Sequence, residues 1–161
     1  YNDRPDKEKI SLLIIHCISL PEGSYEGSNV EDFFLNKLSI SDHNSFDEIK
    51  DLKVSSHLYI KRNGELVQFV PFNKRAWHAG ESTYKGVSDC NNYSIGIELE
   101  GTDCDIYSNE QYESLIKISR SIIKNYPETN KESIVGHSDI SPGRKTDPGN
   151  KFEWRRYLDA L

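Results

Sequence analysis

The segment Ile10-Ser11-Leu12-Leu13-Ile14-Ile15-His16 decides the fold class of this chain. It is apolar and rich in β-branched residues, which predicts a buried β-strand that ends in a histidine. A second strand is predicted over Ser94–Glu100, where apolar residues recur with the two-residue period of a strand. A third, short strand is predicted over Ser133–Gly136, directly before His137. Two of these three strands therefore end at a histidine.

A long helix and a hairpin are also predicted. Ser108 and Gln111 have the spacing of a capping box, and the apolar stripe that follows them is typical of a helix that ends before Pro127. Asn63-Gly64 lies between two strand-like runs and predicts a tight hairpin turn. Shorter helices are expected over residues 30–38 and 152–161.

Strands that alternate with helices, together with a hairpin, predict an α/β fold with a central mixed β-sheet flanked by helices. We find no internal repeat and no change of composition along the 161 residues. The sequence therefore predicts a single domain over residues 1–161, of which 1–9 form an extended N-terminal lead-in.

The composition limits the classes of function. A formal net charge of −6 is poorly suited to binding nucleic acid. No apolar run approaches the roughly 18 residues of a membrane helix. The cysteines number three, without close-paired spacing, which favours a reducing compartment over a disulfide framework. No signal peptide is visible; because the chain begins at Tyr1 and contains no methionine, a removed leader stays an open alternative.

Metal-binding residue types occur at the predicted strand ends. His16 and His137 each follow a buried strand, and Asp147 lies on a proline-containing loop ten residues after His137. Two imidazoles and one carboxylate leave the fourth tetrahedral position of a zinc ion open for water, as in hydrolytic sites. The ligands are far apart in sequence, so spacing alone favours the alternative of histidines that are merely hydrogen-bonded.

Four sequence blocks resemble one known family. They are the segment ending at His16, Arg75-Ala76-Trp77-His78-Ala79-Gly80, residues 94–101, and the stretch from Gly136 to Gly149. These blocks are similar, in the same order, to the N-acetylmuramoyl-L-alanine amidases, which share their fold with peptidoglycan recognition proteins. Within that family the resemblance is strongest to the cytoplasmic AmpD-type 1,6-anhydro-N-acetylmuramyl-L-alanine amidases, and it extends from about residue 10 to residue 161.

The resemblance implies a role for each residue of a zinc centre at one end of the sheet. His16, His137 and Asp147 match the ligands of one zinc ion per chain. Glu98 matches the acid that activates the metal-bound water, and Lys145 matches the cation that stabilises the oxyanion. Viewed singly, Glu98 is better interpreted as a solvated carboxylate at a sheet edge and Lys145 as a surface lysine; the motif context favours the catalytic roles.

The resemblance also implies substrate-binding residues. Trp77, His78 and Ala79 match the wall of the muramyl-sugar pocket, and an indole face suits the C–H surface of a sugar. Lys53 and Arg144 match basic groups that face the acidic stem peptide. The alternatives are a tryptophan that anchors a loop to the core and two solvated surface cations.

Four further residues are interpreted separately. Cys17 and Asp89 depart from the AmpD-type pattern, which has asparagine and a basic residue at these positions, so they put the strictness of substrate selection in doubt. Cys17 is not a convincing nucleophile, and as a fourth ligand it would close the zinc site. His57 is expected to be structural and His43 to lie in a loop.

The implied function is zinc-dependent hydrolysis of the amide bond between the lactyl group of (1,6-anhydro-)N-acetylmuramic acid and L-alanine. The expected substrate is a small soluble muropeptide, cleaved by a cytoplasmic monomer in peptidoglycan recycling, without nucleic acid or membrane partners. Two alternatives stay open: an exported amidase that degrades intact wall, and a non-catalytic peptidoglycan-recognition module.

Overall fold

The computed structural model describes residues 1–5 and 8–161. The strands in these residues are β1 (Asn2–Asp3), β2 (Leu12–Ile18), β3 (Leu58–Ile60), β4 (Leu66–Gln68), β5 (Lys74–Arg75), β6 (Thr83–Tyr84), β7 (Val87–Ser88), β8 (Ser94–Glu100) and β9 (Ile134–Gly136). The α-helices are α1 (Asn29–Phe34), α2 (Asn109–Asn125), α3 (His137–Ile140) and α4 (Trp154–Asp159). Short 3-10 helices cover Ile40–Asp42, Asn44–Glu48, Cys90–Asn92 and Lys131–Ser133.

The central sheet is mixed, as the sequence predicts. Its strand order is β4-β3-β8-β2-β9, in which β2 runs parallel to β8 and β9, and β3 runs parallel to β8. The predicted hairpin forms as the antiparallel pair β3–β4. Because β2 has a neighbour on each side and packing on both faces, it is apolar along most of its length.

The two faces of the sheet have different partners. Leu13 and Ile15 of β2 share a core with residues of α2 and α4. Leu12 and Ile14 point to the opposite face, where they pack in a second cluster that includes Ile140 of α3. Successive side chains of a strand alternate between faces, so His16 lies on the face of Leu12 and Ile14, away from α2.

Helix α2 confirms the predicted capping box. The Gln111 amide donates to Ser108 Oγ at 3.1 Å, and the Ser108 amide donates to Gln111 Oε1 at 3.0 Å. Gln111 Nε2 also donates to the main-chain carbonyls of Ile60 and Glu100, which fixes the start of the helix to the sheet. Among the described residues, no helix combines the length and apolar character needed to span a bilayer.

Some predicted boundaries were wrong. The helix expected over residues 30–38 is shorter, because α1 ends at Phe34 and Asn36 adopts a left-handed conformation with φ of 58°. The strand expected to end at His16 continues to Ile18, because Cys17 and Ile18 pair with Leu99 and Glu100 of β8. The terminal helix occupies only Trp154–Asp159.

The predicted N-terminal lead-in is attached to the body of the protein. Strand β1 pairs antiparallel with β5, whereas Asp6 and Lys7 lie outside the described residues. The Arg4 guanidinium donates to four main-chain carbonyls at 2.7–3.1 Å, those of Phe72, Asn91, Asn92 and Ser94. Burial lowers the pKa of Arg4 to about 10. Arg4 thus clamps the lead-in to the segment between β4 and β5 and to the residues at the start of β8.

Replacing Arg4 with alanine should destabilise the fold. The substitution leaves several part-buried carbonyls without a donor, and we expect the free energy of unfolding to fall by about 2–4 kcal/mol. Chemical denaturation followed by circular dichroism measures the change. Arg155→Ala is the matched control, because Arg155 is 95% exposed in its ion pair with Asp159, and such pairs contribute little. Equal stability of the two variants would contradict the clamp.

Candidate active site

Three parallel strands bring the candidate residues to one edge of the sheet. Parallel strands end at the same edge, where a ligand site is commonly built. The register places His16 of β2 directly beside Glu98 of β8. Ile15 pairs with Gly136 of β9, the residue before His137. The sheet register therefore assembles two histidines and one glutamate that are distant in sequence.

Asp147 completes a compact cluster with the two histidines. His16 Nδ1 lies 3.0 Å from His137 Nδ1, and Asp147 Oδ2 lies 3.1 Å from each of these nitrogens. The loop that bears Asp147 is held by a hydrogen bond from the Ser138 amide to the Asp147 carbonyl. These three residues form a group with the composition and proximity needed to hold a metal ion.

The donor set fits a zinc ion. Ligands about 2.0–2.2 Å from tetrahedral zinc are separated by roughly 3.3 Å, close to the observed 3.0–3.1 Å edges. His137 Nε2 faces the carbonyl of Ala79 at 3.0 Å. A carbonyl can only accept a hydrogen bond, so His137 carries its proton on Nε2 and presents the Nδ1 lone pair to the cluster.

The local electrostatics favour the forms that bind metals. Burial lowers the pKa of His16 to about 4, which keeps its imidazole neutral. Burial alone would raise the pKa of Asp147, but its close contacts with the His137 and His16 rings bring it well below its usual range. Neutral imidazole and ionised carboxylate are the states that coordinate zinc.

Glu98 is a buried carboxylate beside this cluster. Its side chain lines a cavity of about 280 Å³ together with His16, His137 and Asp147. Among the residues that the structure describes, nothing hydrogen-bonds its Oε2 atom. Burial, followed by the nearby Asp147 carboxylate, raises the pKa of Glu98 well above its usual range. Such a carboxyl group is suited to accepting and donating a proton during a reaction.

The remaining wall of the cavity combines a cation with aromatic groups. Lys145 is exposed and lines the cavity, and its amide donates to the Ser141 carbonyl at the base of the loop. Phe33 and Phe34 of α1 line this cavity together with Trp77. Sequence analysis did not identify these phenylalanines as site residues, because their spacing predicts only an apolar helix face.

The predicted substrate-binding residues separate into two groups. Trp77 and His78 line the cavity, and Trp77 also lines an adjoining cavity of about 370 Å³ that includes Lys53. Arg144 instead donates to the carbonyls of Ala79 and Glu81, each at 2.7 Å. The carbonyl of Ala79 thus accepts hydrogen bonds from Arg144 and His137. The substrate roles of all five residues stay predictions.

Four residues were assigned neither to the zinc centre nor to the substrate pocket: Cys17, Asp89, His57 and His43. Cys17 lines the cavity, and burial raises the pKa of its thiol to about 12. Asp89 is exposed and left-handed, with φ of 57°. His57 is buried immediately before β3 and is bonded to the Gly96 amide and the Lys74 carbonyl. His43 is exposed and accepts a hydrogen bond from the Ser45 amide.

Comparisons with known proteins agree on one family. A sequence model of the N-acetylmuramoyl-L-alanine amidase family matches residues 6–150. The chain is 48% identical to 1,6-anhydro-N-acetylmuramyl-L-alanine amidase AmpD of Haemophilus influenzae, over 100% of this chain and 88% of that protein. A crystal structure of an AmpD selenomethionine derivative matches with a TM-score of 0.97 and 46% identity, over 100% of this chain and 89% of that one.

A more distant match comes from a structure with a substrate. It is the N-acetylmuramyl-L-alanine amidase AmiD of Escherichia coli in complex with anhydro-N-acetylmuramic acid-L-Ala-D-gamma-Glu-L-Lys. The two folds superpose with a TM-score of 0.69 at 30% identity, over 98% of this chain and 60% of AmiD. The chain thus superposes almost completely on the AmpD structure and shares its fold with AmiD.

Proposed function

The chain belongs to the N-acetylmuramoyl-L-alanine amidase family, as one of its AmpD-type members, and from this premise we propose its substrate, metal and catalytic residues. It is an N-acetylmuramoyl-L-alanine amidase that acts on muropeptides in peptidoglycan recycling. The bond cleaved is the amide between the lactyl group of 1,6-anhydro-N-acetylmuramic acid and L-alanine. One zinc ion, held by His16, His137 and Asp147, serves the reaction, with Glu98 and Lys145 as catalytic residues.

The observation that supports this proposal most directly is the position of Glu98 beside the three converging donors. A buried carboxylate oxygen without a partner lowers the stability of a fold, so its presence calls for a function. In this protein it faces the same cavity as His16, His137 and Asp147. A module that only recognised peptidoglycan would need neither this carboxylate nor an open set of metal ligands.

Each group has a distinct part in hydrolysis. A zinc ion held by His16, His137 and Asp147 would supply Lewis acidity, which would polarise the lactyl carbonyl and make water more acidic. Glu98 accepts a proton from the attacking water and donates it to the nitrogen of L-alanine as the amide bond breaks. Lys145 stabilises the negative charge that develops on the lactyl carbonyl oxygen. The products are a free lactyl carboxylate and a peptide with a free amino terminus.

The substrate lies in the two adjoining cavities. We place the muramyl sugar against the Trp77 face, with the His78–Ala79 segment behind it, because an indole ring packs well on sugar C–H groups. The stem peptide extends into the cavity that includes Lys53, where a cation suits its carboxylates. Arg144 lies on the same loop as Lys145 and contributes positive charge beside this path.

Product analysis tests the proposed function. The protein with zinc is incubated with a purified anhydro-muropeptide and, separately, with intact sacculi, and the products are identified by mass spectrometry. We expect free peptide and anhydro-muramyl sugar from the soluble substrate and little peptide from sacculi. Efficient release from sacculi would support the wall-degrading alternative. Binding without cleavage of either substrate would support a recognition module.

The sugar pocket should distinguish two forms of muramic acid. The anhydro bridge removes the reducing-end hydroxyl, so a pocket shaped around it would leave the hydroxyl of ordinary muramic acid unpaired. That loss is about 1–3 kcal/mol, or roughly fivefold to more than a hundredfold in kcat/KM. The measurement compares kcat/KM on two substrates with the same peptide, one anhydro and one reducing. Trp77→Leu should narrow the ratio, and equal wild-type values would contradict this prediction.

Three further properties complete the proposal. Residues 1–161 form one amidase domain, the protein acts as a monomer, and it is located in the cytoplasm. The resemblance to AmpD-type amidases supports these assignments. Size-exclusion chromatography with light scattering tests the monomer, and fractionation of the producing cell tests the location.

A further inference from the structure

His78 contacts a predicted zinc ligand directly. Its Nδ1 atom lies 2.9 Å from His16 Nε2, and its Nε2 atom lies 3.2 Å from Ser94 Oγ. The rings of His16 and His78 meet edge to face, with centroids 5.0 Å apart. All three side chains are buried. Both ring nitrogens of His78 therefore bond to protein atoms and none is free for a sugar hydroxyl.

We propose that His78 is a positioning residue that orients His16 as a metal ligand, an inference that rests on the proposed zinc site. Zinc would bind the Nδ1 lone pair of His16, so the proton of that imidazole must lie on Nε2. His78 Nδ1 then accepts this proton's hydrogen bond, and His78 Nε2–H donates to the Ser94 hydroxyl. With the protons placed in this way, each of the two contacts, His16 to His78 and His78 to Ser94, has one donor and one acceptor.

The two histidine ligands are thus oriented by different acceptors. For His137 the acceptor is the main-chain carbonyl of Ala79, which no side-chain substitution removes. For His16 it is the side chain of His78, which a substitution can remove. Acceptors of this kind fix the ring orientation and raise the basicity of a ligating histidine, and their loss weakens metal binding by about 10–100-fold.

Packing and hydrogen bonds hold the His78 ring in place. A Cβ atom on Gly96 would lie 2.4 Å from His78 Nδ1 and 2.5 Å from its Cγ, so only glycine lets the ring rest on β8. His57 packs against the ring at 5.5 Å between centroids and holds the Gly96 amide. Asn91 Oδ1 accepts a hydrogen bond from the His78 amide at 3.0 Å.

Part of this support for the His78 ring can be recognised in the sequence. Ser94, Gly96 and Glu98 share one face of β8 because they are two residues apart. Glu98 is the proposed proton carrier, whereas Ser94 and Gly96 hold the ring that orients His16. One strand face therefore supplies both the acid–base group and the support of a metal ligand.

The test compares two substitutions of similar size and shape. His78→Asn keeps an acceptor oxygen near the position of Nδ1, and His78→Leu removes it. Zinc affinity is measured by competition with a chromophoric chelator, with thermal unfolding as a check on folding. We expect His78→Leu to bind zinc about 10–100-fold more weakly than wild type, and His78→Asn to recover most of this loss. His43→Leu, at an exposed histidine, should retain wild-type affinity.

Two results would overturn the inference. Wild-type affinity of His78→Leu would show that His16 needs no orienting partner. Equal weakening of both His78 variants would mean that the ring acts only through packing. Failure of the zinc site itself would look different, because wild-type protein would then bind no zinc or His137→Ala would bind it normally.

A measurement on the wild-type protein avoids any effect of substitution on folding. Nitrogen-15 NMR of the histidine rings in the zinc-loaded protein reports which ring nitrogen carries the proton. We expect the proton of His16 on Nε2 and that of His78 on Nε2. A proton on Nδ1 of His78 would contradict the proposed orientation.

Discussion

Replacing His137 with alanine should deprive the protein of its zinc ion and lower kcat/KM by roughly a thousandfold or more, because metal activation contributes several kcal/mol to such reactions. His137 supplies one of three donor atoms that lie within 3.0–3.1 Å of one another. Elemental analysis should give about one zinc per chain for wild type and much less for the variant. The same outcome is expected for His16→Ala and Asp147→Ala.

The control for this prediction is His43→Ala. His43 is an exposed histidine that caps a 3-10 helix, so its removal should change neither zinc content nor turnover. Full zinc occupancy in all three ligand variants would refute the assignment of the site. Retained zinc in one variant alone would exclude only that residue.

Glu98→Gln should separate chemistry from metal binding. Glutamine has nearly the same shape as glutamate, but its amide cannot accept the proton of the attacking water. Turnover is expected to fall by about a hundredfold or more while zinc content stays near one per chain. Lys145→Ala should have an effect of similar size, because it removes the cation beside the developing oxyanion.

Glu100→Gln is the matched control for Glu98→Gln. Glu100 lies two residues further along the same face of β8, but its carboxylate accepts hydrogen bonds from Tyr59 Oη and the Arg62 amide. Turnover per folded molecule should be close to wild type. If Glu98→Gln or Lys145→Ala also turned over at the wild-type rate, the role assigned to that residue would be wrong.

Local patterns in the sequence predicted much of the fold. The alternation over residues 94–100 gave both bounds of β8, and the Ser108–Gln111 capping box gave the start of α2. Such features are set by neighbours in sequence, so they can be recognised without the structure. The end of α1 could not, because it depends on the left-handed conformation of Asn36.

Through-space relations were harder to predict. The pairing of His16 with Glu98 depends on the register of two strands that are distant in sequence, and only the family resemblance placed these residues in one site. The clamp formed by Arg4 gives no local pattern, because its four acceptors are main-chain carbonyls. The packing of the His78 ring on Gly96 was also not predicted, although the two-residue period of β8 places Ser94, Gly96 and Glu98 on one face.

The alternating faces of β8 also affect how this enzyme can evolve. Ile95, Ile97 and Leu99 pack in the core that includes α2, whereas the residues between them face the candidate site. A change at one of the three apolar positions alters how much of the protein is folded and leaves the reacting groups in place. A change at Gly96 or Glu98, on the other face, alters the support of His16 or the acid–base group and removes little apolar contact. Substitutions within this one seven-residue strand can therefore change the stability of the fold and the catalytic site independently.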